Sequence, residues 1–179
     1  MNEDVPLDDG FVQVVRGDIT RQRVDAIVNA ANSSLIAGGG VDGAIHRVAG
    51  PELQEACRPL GGCAPGQAKM TPGFRLPCRF VIHTVGPVWS GGSAGEDGIL
   101  RSCYRSSMRL AVQHGLASIA FPAIATGAYG FPEARAAQIA LEELRSMADL
   151  SENLSDIRVV CLNATTFAAF ENAMSHLLD

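Results

Sequence analysis

Five short apolar runs alternate with amphipathic stretches along the chain, and this alternation constrains the fold more than any other feature. The runs are rich in β-branched residues and nearly continuously apolar, as are strands that are covered on both faces. They span residues 11–15, 24–29, 79–85, 118–122 and 157–162. Because helices cover both faces of such a sheet, we predict an α/β fold with a largely parallel sheet.

The stretches between and after these runs have helical spacing. Apolar residues recur every three or four positions over 97–114 and 132–147, and a last helix is predicted over about 166–177. A length of 179 residues suits one hydrophobic core. We therefore expect a single domain over residues 11–179, preceded by a loose N-terminal tail at 1–10.

Composition narrows the classes of partner. The net charge is −5, and the arginines and the single lysine, Lys69, are scattered along the chain. Such a distribution argues against nucleic-acid binding, which needs a basic surface. No apolar run approaches the roughly 20 residues that span a bilayer, so we expect no membrane partner. Five cysteines without a Cys-x-x-Cys pair predict no disulfide framework and a cytoplasmic location. His46, Cys57 and Cys63 lie close in sequence, but no second pair at metal-ligand spacing completes a site, so we expect no metal. We also expect no cofactor.

Three segments follow predicted strands directly, where parallel sheets bind their ligands. The first is Gly17-Asp18-Ile19-Thr20. The Asp18 carboxylate suits the cap of a short helix, and it also suits an acceptor for an exocyclic amine such as that of adenine. The pattern alone favours the cap.

The second and third segments are rich in glycine. Asn29 and Asn32 follow a buried strand and precede three consecutive glycines, Gly38 to Gly40, with a helix predicted to open near Asp42. Residues 122–132 add more glycines and Tyr129 between a strand and a helix. Glycine lets the backbone approach a ligand, and a helix N-terminus offers free N–H groups to an anion. Two such loops at adjacent strand ends predict a site for the two phosphates of a pyrophosphate.

These segments also carry a family resemblance. The chain resembles the macrodomain family, and within it the MacroD-type branch that includes bacterial O-acetyl-ADP-ribose deacetylases. The resemblance rests on five ordered blocks and runs from about Val12 to Phe170. The blocks are residues 17–20, 24–32, 38–46, 81–87 and 126–132.

The resemblance implies a three-layer α/β/α fold with a mixed, largely parallel six-stranded sheet that binds ADP-ribose across the strand ends. It implies two catalytic positions, Asn32 and Asp42, which hold the distal ribose and the water. The implied substrate-binding positions are Asp18 at the adenine amine with Ile19 beside it, Gly40 and Val41 in the first phosphate loop, and Ala125, Thr126, Gly127, Ala128 and Tyr129 in the second. Ala125 replaces a serine that is usual in the family, and Leu162 stands where an aromatic residue often meets the adenine, with Phe167 or Phe170 as candidate substitutes.

We expect a hydrolase that cleaves esters at the distal ribose. Its implied substrates are O-acetyl-ADP-ribose and mono-ADP-ribose attached to Asp or Glu of proteins. Either Asp42 or a substrate phosphate activates the water; the sequence favours neither. A non-catalytic ADP-ribose-binding module and an ADP-ribose 1″-phosphate phosphatase remain the alternatives. We expect His46, on a helix, and His83, in a buried strand, to be structural histidines rather than bases.

Overall fold

The structure is a computed structural model that describes residues 6–150 and 152–178. Seven strands form one sheet whose order is β1-β2-β7-β6-β3-β5-β4. Their bounds are β1 Leu7–Asp8, β2 Gln13–Arg16, β3 Ala26–Ala30, β4 Ala68–Pro72, β5 Phe80–Thr84, β6 Ser118–Pro122 and β7 Asp156–Cys161. The five inner strands run parallel to one another, and the two edge strands, β1 and β4, pair antiparallel with β2 and β5.

Helices cover both faces of the sheet, so the predicted three-layer α/β/α architecture is confirmed. Their bounds are α1 Gly40–Ala49, α2 Pro51–Cys57, α3 Glu96–Gln113, α4 Glu133–Met147 and α5 Ala164–Leu178. One hydrophobic core joins the sheet to α3, α4 and α5, and a second joins it to α1 and α2. Successive residues of β3 serve the two cores in turn: Val28 belongs to the first and Ile27 to the second. No helix in the described part of the chain is long and apolar enough to cross a membrane.

The sheet differs from the expected one in its strand number. It has seven strands rather than six, and the two edge strands lack the apolar runs that mark the inner ones. β4 reads Ala-Lys-Met-Thr-Pro, and β1 contains only Leu7 and Asp8, which pair with β2. Residues 7 and 8 therefore belong to the sheet rather than to a loose tail, whereas residues 1–5 of that tail lie outside the described residues.

The chain path opens a crevice between β3 and β6. After β3 it turns into α1 on one face of the sheet, and after β6 it turns into α4 on the opposite face. β3 and β6 are neighbours in the sheet. Because the helices that follow them lie on opposite faces, the loops that leave these two strands diverge at the carboxyl edge. Such a switch point is where open α/β sheets bind ligands.

Candidate functional site

A cavity of about 420 Å³ lies in this crevice. Of the eleven residues that the sequence predicted to be catalytic or substrate-binding, eight line it: Asn32, Gly40, Val41, Asp42, Ala125, Gly127, Ala128 and Tyr129. The remaining lining residues are Ala30, Ala31, Gly38, Gly39, Gly86, Pro122 and Ala123. Both glycine-rich loops therefore face one space. Gly86 follows β5, and its position beside that space depends on the strand order, which the sequence does not reveal.

The first loop ends in the N-terminus of α1. Gly39 is the N-cap and contributes no side-chain hydrogen bond, so the N–H groups of the first turn remain available. The α1 dipole adds a partial positive charge at the same point. Glycine at 38, 39 and 40 leaves this end of the helix uncovered, and Gly40 has a φ of 58°, which favours glycine. The loop thus suits a phosphate that is bound by backbone amides.

The Asp42 carboxylate forms part of the cavity wall and is held by several donors. Its Oδ1 accepts a hydrogen bond from Asn29 Nδ2 at 2.7 Å and lies 3.3 Å from His46 Nε2. Its Oδ2 accepts a hydrogen bond from the Gly38 N–H at 2.7 Å. A carboxylate oxygen has two acceptor positions, so Oδ2 can still accept a hydrogen bond from a hydroxyl or a water molecule.

Asn32 is fixed by its own loop. Its Oδ1 accepts hydrogen bonds from Ser34 Oγ and the Ile36 N–H, at 2.7 and 3.2 Å, and its Nδ2 donates to the Ile36 carbonyl at 2.7 Å. One N–H of the amide is left to donate. Asn32 Nδ2 and Asp42 Oδ2 lie 3.6 and 3.4 Å from the point that a Cβ on Gly38 would occupy. A donor and an acceptor therefore flank one small space beside Gly38.

The second loop has unpaired backbone N–H groups in residues that line the same cavity. Among the described residues, no hydrogen bond uses the N–H groups of Gly127, Ala128 or Tyr129. Ala125 has a φ of 68°, which is strained for a residue with a Cβ, and its carbonyl accepts a hydrogen bond from the Phe131 N–H. Thr126 does not line the cavity; its hydroxyl donates to the Ala123 carbonyl at 2.9 Å.

A neighbouring segment braces the second loop. The Trp89 N–H donates to the Tyr129 carbonyl at 2.8 Å, and the Trp89 ring contacts Phe131 with a centroid distance of 4.7 Å. Glu96 orders the chain beyond Trp89, because its carboxylate accepts hydrogen bonds from the N–H groups of residues 90, 92 and 94. These bonds lower the pKa of Glu96 to about 2. The loop that carries Tyr129 is thus held from outside the cavity.

Asp18 and Ile19 do not line the cavity. Asp18 Oδ1 accepts hydrogen bonds from the Thr20 N–H and hydroxyl, so Asp18 caps the 3-10 helix Ile19–Arg21, as the pattern favoured. That helix contacts α1 and β6, and Ile19 is buried in the second core. The Gly17 N–H donates to the Cys161 carbonyl, which places Asp18 near Leu162 at the same sheet edge.

The candidate residues for stacking on adenine near Asp18 differ in exposure. The side chain of Leu162 is 71% exposed, whereas Phe170 is fully buried in the first core. Phe170 is therefore not available to stack against an adenine ring. Phe167 packs against the same core and is only partly buried.

A line of buried polar groups lies beneath Asp42. Asn29 Nδ2 is 3.1 Å from His83 Nδ1, and His83 Nε2 is 2.9 Å from Thr71 Oγ1. Burial, and to a smaller degree His46, lowers the pKa of His83 to about 4. The sequence marked Asn29 as unusual but did not connect it to His83, because their pairing in adjacent strands depends on the sheet order.

Cys57 contacts this line of polar groups, but its thiol is not suited to act as a nucleophile. Cys57 Sγ lies 3.7 Å from His83 Nε2, yet it is buried and outside the cavity lining. Burial, with a smaller contribution from Asp42, raises the pKa of Cys57 to about 11. The thiolate that attack would require is therefore scarce at neutral pH. Among the described residues, no group of three or more His, Cys, Asp or Glu side chains is arranged to hold a metal.

Comparison with known proteins agrees with this architecture. The family model described as "Macro domain" matches residues 28–140, which include both glycine-rich loops. The chain belongs to the macro domain family. This macro domain is 53% identical over 171 residues to a macro domain-containing protein of Ralstonia nicotianae, with 96% of this chain and 98% of the relative covered.

Two further proteins to which the chain is similar are described by a reaction or by a bound ligand. A relative from Citrobacter rodentium named O-acetyl-ADP-ribose deacetylase is 49% identical over 172 residues, covering 94% of this chain and 97% of the relative. A solved structure of the Oceanobacillus iheyensis macrodomain with ADP has a TM-score of 0.91 and 37% identity, covering 97% of this chain and 96% of that one.

Proposed function

We propose that this macro domain binds ADP-ribose and hydrolyses esters at its distal ribose, with O-acetyl-ADP-ribose as a substrate. The observation that carries the proposal is the position of Asp42 and Asn32 on either side of one small space in a cavity with two amide-lined loops. The deacetylase named among the relatives and the ADP in the solved neighbour support the ligand class.

Binding rests on backbone groups rather than on side-chain cations. The first turn of α1 offers one set of N–H groups, and Gly127, Ala128 and Tyr129 offer another. No Lys or Arg lines the cavity among the described residues. Two facing sets of donors suit the two phosphates of ADP-ribose. The adenine would then extend toward the carboxyl ends of β2 and β7, where Asp18 Oδ2 remains free to accept from its amine.

Hydrolysis needs a water molecule that is held against the ester carbonyl. Asp42 Oδ2 can accept a hydrogen from that water, and the remaining N–H of Asn32 can donate to its oxygen or to a ribose hydroxyl. The donors around Asp42 hold the carboxylate in place. A carboxylate that is fixed in this way orients the water rather than moving toward it. Proton transfer to Asp42 and activation by a substrate phosphate both fit this geometry. Cys57 is buried outside the cavity lining and does not serve as a nucleophile for a covalent intermediate.

The mouth of the cavity is consistent with larger esters. The glycines at its rim, Gly38 to Gly40 on one side and Gly127 on the other, are exposed. We therefore extend the proposal to mono-ADP-ribose on Asp or Glu side chains of proteins, in which the ester has the same bond type and a bulkier acyl group. This extension predicts that the same Asp42 and Asn32 groups serve both substrates.

The test is acetate release from O-acetyl-ADP-ribose, measured beside calorimetry with ADP-ribose. We expect both turnover and binding for the wild-type protein. Binding without acetate release would favour a non-catalytic module, and phosphate release from ADP-ribose 1″-phosphate instead of acetate would favour the phosphatase. No detectable heat at millimolar ADP-ribose would contradict the whole proposal.

A substitution at Gly38 tests the space between the two side chains. Gly38→Ala places a methyl group 3.4 Å from Asp42 Oδ2 and 3.6 Å from Asn32 Nδ2, both ordinary contact distances. The protein should therefore fold with a near-normal melting temperature, while the methyl displaces the water. We expect turnover to fall at least tenfold. Unchanged turnover would show that the attacking water lies elsewhere.

A further inference from the structure

The polar line beneath Asp42 is buried throughout and reaches across three strands. Asn29 on β3 is 0% exposed, His83 on β5 is 1% exposed, and Thr71 on β4 is 3% exposed. The line touches the cavity only at Asp42, so its members cannot contact a substrate directly. Any influence on the reaction must pass through that carboxylate.

The amide of Asn29 fixes the donor and acceptor of each hydrogen bond in this line. An amide nitrogen only donates, so Asn29 Nδ2 donates to Asp42 Oδ1 at 2.7 Å and to His83 Nδ1 at 3.1 Å. A ring nitrogen that accepts a hydrogen bond carries no proton. The proton of the neutral ring is then on Nε2, which donates to Thr71 Oγ1 at 2.9 Å.

We propose that His83 is a positioning residue for Asp42: its Nδ1 lone pair holds the Asn29 amide with the NH₂ group against the carboxylate. The role in turnover rests on the proposed hydrolase function. If Nδ1 carried the proton, it would attract Asn29 Oδ1 instead, and the amide would turn over. Two oxygens would then face each other across the 2.7 Å contact, and Asp42 would lose a donor.

The orientation of the Asn29 amide leaves one buried atom without a hydrogen bond. Asn29 Oδ1 is buried and has no hydrogen-bond partner among the described residues. Buried polar groups without partners are rare and need an explanation. The two acceptors on the nitrogen side, Asp42 and His83, supply it, because they can be satisfied only when the oxygen points the other way.

The surroundings keep His83 neutral. Its ring faces Thr71, Cys57 and Asn29 directly, with His46 and Asp42 as the nearby titratable groups beyond them. Burial is the main reason that the pKa of His83 falls to about 4. Near neutral pH the ring therefore retains the single proton that this arrangement requires.

Two amide substitutions separate the ring nitrogens. The amide atoms of asparagine lie one bond beyond Cγ, as Nδ1 does, whereas those of glutamine lie one bond further, near the position of Nε2. His83→Asn therefore keeps an acceptor for Asn29, and His83→Gln removes it. With O-acetyl-ADP-ribose, we expect His83→Gln to lower kcat by about 10-fold to 100-fold and His83→Asn by less than about threefold, each with KM within about threefold.

The outcomes are distinct. Equal kcat values for the two variants, or parallel losses of kcat, substrate affinity and melting temperature, would show that His83 only supports the core. Nitrogen-15 NMR of the histidine-labelled wild-type protein reports the tautomer without any substitution: a proton on Nε2 supports the proposal, and a proton on Nδ1 overturns it. Absence of acetate release by the wild-type protein would overturn the proposed function alone, and the tautomer would still decide the arrangement of Asn29.

Discussion

Asp18 combines a local structural role with a free acceptor, and its two oxygens divide the work. Oδ1 caps the 3-10 helix through Thr20, while Oδ2 has Arg21 at 3.9 Å as its nearest charged neighbour. The Asp18 side chain is 45% exposed, so Oδ2 can reach a ligand. The cap and the proposed adenine contact are therefore compatible in one residue.

Substitution by asparagine and alanine should separate these two roles. Asp18→Asn keeps an oxygen for the Thr20 N–H but puts an NH₂ group where the adenine amine needs an acceptor. Asp18→Ala removes both, and loss of the cap costs about 1 kcal/mol. We expect both variants to bind ADP-ribose more than tenfold more weakly, since the contact contributes about 1.5–3 kcal/mol, and only Asp18→Ala to lose melting temperature. Wild-type affinity in Asp18→Asn would leave the cap as the only role.

Among individual residues, the sequence marked loop residues that line the cavity, but it did not reveal which buried side chains contact each other. Glycine and asparagine after a strand have few structural reasons to occur together, so the Asn32 and Asp42 region stood out. Asn29 and His83 are 54 positions apart, and only the parallel pairing of β3 with β5 brings them together. A polar side chain in an apolar strand signals such a partner without naming it.

The α1 helix and the first loop form one unit whose contact depends on Gly43. A Cβ at Gly43 would lie 2.6 Å from the Gly38 carbonyl oxygen, which no real side chain tolerates. The Gly38 N–H donates to Asp42, so displacement of this loop also disturbs the carboxylate. Close packing between the helix and its own preceding loop thus shapes the proposed first phosphate site.

Gly43→Ala should therefore damage both stability and binding. We expect the free energy of unfolding to fall by about 1–3 kcal/mol and ADP-ribose affinity to drop at least tenfold. Gly98→Ala is the matched control, because Gly98 also lies in a helix and a Cβ there has no atom within 4 Å. This control should keep its affinity and gain up to about 1 kcal/mol. Equal behaviour of the two variants would contradict the steric account.

Elements with a strong pattern were predicted, and those without one were not. The amphipathic stripes of α3 and α4 located these helices to within one residue at each end. The sequence did not predict α2, because a helix of seven residues is too short for a clear amphipathic pattern. Only Gly50, with a φ of 90°, separates it from α1. β4 was missed because an edge strand needs no continuous apolar run, and Lys69 and Pro72 interrupt its pattern.

For the whole molecule, the sheet order determines the position of the cavity in which we propose the reaction. The cavity opens because α1 and α4 lie on opposite faces of the sheet. Beneath it, His83 of β5 pairs with Asn29 of β3. A site built this way shares its buried polar groups with the core. Conditions that charge those groups should therefore weaken the fold as well as the site.

The pH dependence of stability should show this coupling. The pKa of His83 falls from 6.5 in the unfolded chain to about 4 in the folded protein, so the unfolded chain binds the proton first as the pH falls. The contribution of His83 to stability is therefore full above pH 6.5, declines between pH 6.5 and pH 4, and is constant below pH 4. We expect His83 to account for a loss of about 2 kcal/mol between pH 7 and pH 5. Urea unfolding of the wild-type protein and His83→Asn at both pH values isolates it, and identical losses would contradict the assignment.

We propose that Asp42 acts in the chemical step rather than in holding the nucleotide, and a paired measurement on one variant separates these two roles. Asp42→Ala is assayed for acetate release from O-acetyl-ADP-ribose and, from the same preparation, for ADP-ribose binding by calorimetry. Positioned acid–base or water-orienting groups contribute about 10²–10⁴ in rate, so turnover should fall by that factor. Affinity should stay within about tenfold, because backbone amides supply the binding. Near-normal turnover in Asp42→Ala would contradict the account and leave activation of the water to a substrate phosphate.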